Sequence, residues 1–297
     1  MKTLFRLTFL ALLFFGSHAV QVRVDGAEAP PPRRRADVEA ILRQAPKPEG
    51  PLKPLHVLLV AGPKDHGPGE HDYPAWQKQW APLLAKAENV KVSTAFPWPT
   101  PEQWEGVDLV VFYLKTKWDA GQLAQIRKHQ EKGGGVATIH WAIGCDQEWH
   151  NHAQHFGMSY KSASYRHGHV DLKVALPDHP VALGLPRSMA FVDEPYWPFI
   201  GDVSKVRVLA TSDEKIYQGD DRRRNPGDDT VQTIPVFWTY ETPASSARVF
   251  VSIFGHYMWT FDDPYFRLLM LRGMAWAARS HPYRFDSLAT EGVKLAD

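Results

Sequence analysis

The chain has 297 residues, 34 Lys and Arg against 33 Asp and Glu, 44% apolar residues and a single cysteine. At this length one domain can bury about three-quarters of its unfolded surface, and the ordinary composition excludes global disorder, collagen and a polytopic membrane protein. The near-zero net charge argues against a dedicated nucleic-acid binder, and the lone Cys145 excludes a cysteine-rich zinc module and a disulfide within the chain.

Lys2 and Arg6 precede the apolar run Leu7–Phe15, which leads to the small-x-small triplet Ser17-His18-Ala19. That order is the order of an export signal, and the run is shorter than the ~20 residues of a membrane span. The expected mature chain begins near Val20, is periplasmic or secreted, and keeps no stable membrane anchor. Residues 20–54 carry Pro30-Pro31-Pro32, Arg33-Arg34-Arg35 and further prolines at 46, 48, 51 and 54. This composition predicts a solvated linker with a short helix over Ala36–Gln44.

From Leu55 the chain alternates strand and helix. Leu55–Ala61 is a continuous apolar run of the kind buried on both faces of a parallel sheet. A polar loop, Gly62–Tyr73, leads to a helix starting near Pro74, with Trp76, Trp80, Leu83, Leu84 and Ala87 on one stripe and a kink expected at Pro82. Val90–Ala95 and Asp108–Tyr113 read as strands. Asp119 caps a helix, with Gln122 three residues on, and Gly133-Gly134-Gly135 ends it before the buried strand Val136–His140. A helix over Gln147–Phe156, an exposed-edge strand over His169–Leu176 and strands Val206–Ala210 and Val231–Tyr240 follow. Gln218–Thr230 reads as a charged loop. Arg248–Phe254 is the last buried strand, and Asp262 or Asp263 caps a final helix at Pro264. The rhythm predicts one α/β domain over residues 55–282, with a tail over residues 283–297.

Nucleotide binding is poorly supported. Gly67-Pro68-Gly69 follows the first strand, but Asp65, Glu70 and Asp72 would repel phosphate and no Walker sequence is present. A nucleophile is equally poorly supported: His140 occupies the turn after the fourth strand, and Cys145, five residues on, reads as a packed thiol. Histidines and carboxylates at strand ends are the stronger signal. His66, Glu70, His71 and Asp72 follow the first strand, His140 ends the fourth, Asp193-Glu194 lies in an aromatic loop, and His256 follows the last strand. Open α/β sheets bind ligands beyond the carboxyl ends of their strands, and imidazoles with one carboxylate make a three-ligand zinc site. His150, His152 and His155 read as surface residues of their helix, and His167 and His169 as surface residues near the mouth. Tryptophans in loops suit sugar rings or anchor the loops.

Several of these segments match a known family in combination: Lys64-Asp65-His66, His71-Asp72-Tyr73, Gly133–Ala142, Asp178-His179-Pro180 with Gly184-Leu185-Pro186, Asp193-Glu194-Pro195-Tyr196, Arg248-Val249-Phe250, Gly255-His256 and Trp276-Ala277. The chain resembles the ThuA-like (trehalose utilisation) family of the class I glutamine amidotransferase-like superfamily over about Leu55–Ala278. The resemblance implies a flavodoxin-like three-layer α/β sandwich with a mostly parallel central sheet. It puts His140 in the slot where amidotransferases keep cysteine, so no glutaminase activity is expected. It also implies a divalent metal, zinc by preference, near His140, Glu194 and His256, and a small-molecule carbohydrate partner handled as a 3-keto-sugar. In that reading His66, His71 or Asp65 removes a proton, and Tyr196 or Tyr257 protonates the leaving group. The alternatives are a non-catalytic sugar-binding module and a metal-dependent ester or amide hydrolase.

Overall fold

A computed structural model describes residues 28–145, 147–216 and 230–297. The proposed export signal and all of the charged loop except Thr230 lie outside the described residues. The strands are β1 (Leu55–Ala61), β2 (Val90–Ala95), β3 (Leu109–Tyr113), β4 (Gly135–Ile139), β5 (Met158–Tyr165), β6 (Gly168–Val174), β7 (Ser188–Asp193), β8 (Tyr196–Gly201), β9 (Arg207–Ile216), β10 (Thr230–Glu241) and β11 (Arg248–Ser252). The α-helices are α1 (Arg35–Leu42), α2 (Tyr73–Leu84), α3 (Ala120–Glu131), α4 (Trp149–Phe156) and α5 (Pro264–Ala277).

Nine strands form one sheet in the order β2-β1-β3-β4-β11-β10-β9-β6-β7, and β5 pairs with β8 separately. The first five run parallel, in the flavodoxin-like order 2-1-3-4-5, and β10, β9, β6 and β7 extend the sheet antiparallel. Consecutive residues of β3 show the three layers, because strand side chains alternate between faces. Phe112 packs on Trp98 and Trp118 on the side of α3 and α4, whereas Tyr113 packs on Trp76 of α2 and Phe261, which in turn meets Phe266 of α5. Asp72, Asp119 and Asp263 cap α2, α3 and α5 with side-chain acceptors. Pro82 stands near the end of α2, which stops two residues later.

The structure departs from the sequence reading in five places. Strand β6 is interior, flanked by β9 and β7, because its alternation marks one solvated face rather than an edge. Strand β7 is the edge. Strand β8 carries Pro198, which argues against a strand, but β8 pairs only with β5 and tolerates the missing donor. The segment expected as a solvated linker is docked from Arg33 onward: Arg33 pairs with Asp263 at 2.8 Å, and Val38 and Ile41 of α1 are buried. In the tail, Phe285, Leu288 and Ala289 are buried too. Finally, His152 and His155 are interior rather than surface residues. His152 lies between the rings of Trp118 and Phe156, and His155 Nδ1 meets Gln130 Oε1 at 2.8 Å. Among the described residues no helix is long and apolar enough to cross a membrane.

Candidate metal centre

Four loops at the carboxyl ends of the strands converge. The β1 and β11 loops are zipped together by His71 N donating to His256 O at 3.0 Å and Met258 N donating to Gly69 O at 2.8 Å. His71 and His140 both hold positive φ, 41° and 55°. For a residue with a β-carbon that conformation is unfavourable, and such strain concentrates at functional sites. Gly255 (φ 129°) has no alternative, since a β-carbon there would stand 2.8 Å from Ile139 Cγ2.

These turns aim four side chains at one point. His71, His140, Glu194 and His256 are all buried, and one ligand atom from each lies within 4.8 Å of the others. His71 Nε2 is 2.8 Å from His140 Nε2 and 3.0 Å from His256 Nδ1. Glu194 Oε2 is 3.0 Å from His140 Nε2 and 2.9 Å from His256 Nδ1. Tetrahedral ligands with bonds of 2.0–2.1 Å sit about 3.3 Å apart, so the group needs to expand by only a few tenths of an ångström to enclose an ion.

The outer nitrogens decide what the inner ones can do. His71 Nδ1 donates to Asp65 Oδ1 at 2.9 Å, and His140 Nδ1 donates to Ile253 O at 2.6 Å. Both ring protons are thereby committed, and two bare Nε2 lone pairs face each other. Burial drives the His71 imidazole down to about 3, although its hydrogen bond to Asp65 opposes this. Burial alone would raise the Glu194 carboxyl, but the imidazoles of His140, His167 and His256 around it hold it ionised, far below the usual carboxylate range. Three imidazoles, two of them oriented by outer hydrogen-bond partners, with an ionised carboxylate, form a donor set that can hold a metal ion.

The sequence-nominated residues divide into three groups. His140, Glu194 and His256 meet as expected. His71, nominated as a base, stands inside the donor group instead. Asp65 and His66 are partly exposed beside it, with His66 Nδ1 donating to Asp65 Oδ1 at 2.9 Å and the His66 ring 3.8 Å from that of His71. Tyr196 and Tyr257, nominated as acids, are fully buried. The Tyr196 hydroxyl lies 3.1 Å from His140 Nδ1, and Tyr257 stacks on Trp259 with its ring 4.5 Å from that of His256. Both pack against the imidazoles of the group.

Sequence reasoning gave no role to Asp193 or Arg166, and placed His167 only near the mouth. His167 Nε2 is 3.1 Å from Glu194 Oε1, and its ring is 4.6 Å from that of His256. Arg166 makes a bidentate pair with the buried Glu214 and donates to His169 O, which fixes the loop carrying His167. Asp193 is buried and accepts from the backbone N–H groups of Glu194, Gly255 and His256 and from Thr260 Oγ1. In the sequence Asp193 stood beside Glu194 among the candidate carboxylates and in the matched segment Asp193–Tyr196, with no role of its own. Asp193→Ala leaves these donors unpaired, at about 1–3 kcal/mol for each one that stays buried. It is expected to lower the melting temperature and to weaken metal binding about 10- to 100-fold, as measured by competition with a chromogenic chelator.

Residues 57–277 match the family described as ThuA, trehalose utilisation. Among solved structures, the fold is similar to a ThuA-like protein from Parabacteroides merdae (21% identity, TM-score 0.52, covering 76% of this chain and 90% of that one). It is also similar to a ThuA-like protein from Bacteroides uniformis (16% identity, TM-score 0.54, covering 78% and 94%). Among curated proteins no significant match is found. With the family match spanning most of the chain, and the fold shared with these two structures, this chain belongs to the ThuA, trehalose utilisation, family.

Proposed function

We propose that this chain is an exported, zinc-dependent enzyme that cleaves a 3-keto-glycoside. The observation that carries the reading is the convergence of two inward-facing nitrogens, His71 Nε2 and His140 Nε2, 2.8 Å apart, with His256 and Glu194 in one buried group. Imidazole donors with one carboxylate suit zinc. The family description, trehalose utilisation, supports the carbohydrate class. Export rests on the order of features in residues 1–19. Bound zinc supplies Lewis-acid polarisation of a ketone oxygen, worth several kcal/mol.

The chain's own residues handle the protons. A ketone at C3 acidifies the proton on C2. His66 Nε2 is the partly exposed base, and Asp65 holds its ring through Nδ1. Burial raises the Asp65 carboxyl, but hydrogen bonds from His71 and His66 overcome this and keep it ionised, able to stabilise a charged imidazole. As His66 takes the C2 proton, the electron pair closes the C1=C2 bond and the C1–O bond breaks. The departing oxygen takes a proton from His167, the other exposed imidazole bordering His256. Addition of water across C1=C2 then regenerates the 3-keto-sugar.

The test is turnover of 3-keto-glycosides, esters and amides by the full chain, with and without chelator. The proposal expects keto-glycoside cleavage that chelation abolishes and zinc restores. It also expects a kcat at least about 100-fold lower in His66→Gln at unchanged metal content. Full turnover by metal-free protein overturns the metal's role. Turnover of esters or amides alone overturns the sugar reading, and sugar binding without turnover leaves a binding module.

A further inference from the structure

We infer that the cavity between the N-terminal arm and strands β6 and β7 is the subsite for the leaving-group half of the glycoside, a neutral hydroxylated ring, and that residues 28–31 are its outer wall. The inference rests on the proposed reaction and names where the second half of its substrate lies.

The arm is held at a defined place. Arg33 Nε pairs with Asp263 Oδ2 at 2.8 Å, and Asp263 also caps α5 by accepting from Tyr265 N. The Arg33 guanidinium faces the rings of Phe191 and Tyr265 at 5.0 and 4.6 Å and donates to Ala190 O. Backbone hydrogen bonds join Arg33 O to Ala296 N and Arg35 N to Ala296 O. Residues 28–31 therefore lie across a cavity from Ala190, Phe191 and Val192 of the edge strand β7.

Between arm and sheet lies a cavity of about 600 Å³, within the roughly 300–1,000 Å³ of small-molecule sites. Pro30, Pro31 and Phe191 give it apolar walls for the C–H faces of a ring, and Glu28, His167 and His169 give it partners for hydroxyl groups. Among the described residues its lining holds no lysine or arginine, and Glu28 would repel an anion, so the chemistry selects a neutral polyol such as a second sugar. His167 joins the two sites. It lines the cavity, and its Nε2 lies on Glu194 Oε1 at 3.1 Å. A glycoside with its keto ring at the metal centre and its other ring in the cavity places the scissile oxygen beside His167, the residue assigned to protonate it.

The experiment compares two substrates sharing one 3-keto-glucosyl group, a disaccharide and a methyl glycoside, in the full chain and in Arg33→Ala. Releasing the arm is expected to raise KM for the disaccharide about 10-fold, while leaving methyl-glycoside kinetics within about twofold and metal content unchanged. Equal changes for both substrates, or none for the disaccharide, overturn the subsite. If Arg33→Ala does not fold, Pro30→Gly with Pro31→Gly loosens the same wall and is held to the same outcomes. If wild type cleaves neither substrate, the reaction fails separately. The cavity is then judged by hydrogen exchange with a saturating glucosyl disaccharide, where added protection at the amides of Glu28, Ala29 or residues 167–169 supports it and none at any of them overturns it.

Discussion

Replacement of His140 by alanine is expected to abolish metal retention and turnover together. The ring supplies one of four donors, and its Nε2 is the atom nearest to His71 Nε2 and one of two nitrogens against Glu194 Oε2. Loss of an outer partner of a ligand typically costs 10- to 100-fold in affinity, so loss of the ligand itself is expected to exceed about 100-fold. Turnover should fall by at least about 1,000-fold, because the assigned ketone-polarising ion leaves with it. The fold should survive. Strand β4 ends at Ile139, before the substituted residue, and the main structural debit is Ile253 O losing its donor, about 1–3 kcal/mol. Metal analysis, turnover and thermal melting of wild type and variant check this together. A folded variant that keeps one metal per chain would remove His140 from the donor set.

Stability is expected to fall steeply as pH drops from about 6.5 to 4. Burial lowers His152 to about 3, His155 to about 4, with Arg127 adding to it, and His179 to about 4, with Arg207 and Arg248 adding. In the unfolded chain each takes a proton near pH 6.5 that the folded chain refuses until much lower. Their stabilisation is therefore complete above that value and is lost as pH falls toward the folded values. The slope is up to about 1.4 kcal/mol per pH unit for each, or about 4 kcal/mol per unit for the three, which can exhaust a typical stability of 5–15 kcal/mol near pH 5. Urea unfolding of chelated protein between pH 7.5 and 4.5 measures the slope without competition from metal. His152→Phe, an apolar ring between Trp118 and Phe156, should flatten it by up to about 1.4 kcal/mol per pH unit. A stability constant from pH 6.5 to 4.5 would contradict this account.

The parallel half of the sheet was legible because its strands are buried on both faces: Leu55–Ala61 and Val136–Ile139 are apolar without interruption. The caps were legible because Asp119 and Asp263 are short acceptors placed ahead of helical stripes. Of the antiparallel strands, β6, β9 and β10 were legible too, but β7 and β8, six residues each, were not, and Pro198 masks the second. The site was legible at His140, where a buried strand ends on a histidine. His66 and His71 could not be separated, because the positive φ that turns His71 inward carries no glycine to announce it. The burial of His152 and His155 depends on α4 packing against α3, which neither segment encodes alone.

X-ray absorption at the zinc edge, on full chain loaded with one equivalent of zinc, tests the central claim most directly. The account predicts one ion per chain in a first shell of three imidazole nitrogens at about 2.0–2.1 Å and a carboxylate oxygen at about 2.0–2.2 Å. A shell of oxygens without imidazole, or zinc that dialyses away from folded protein at neutral pH, would contradict it.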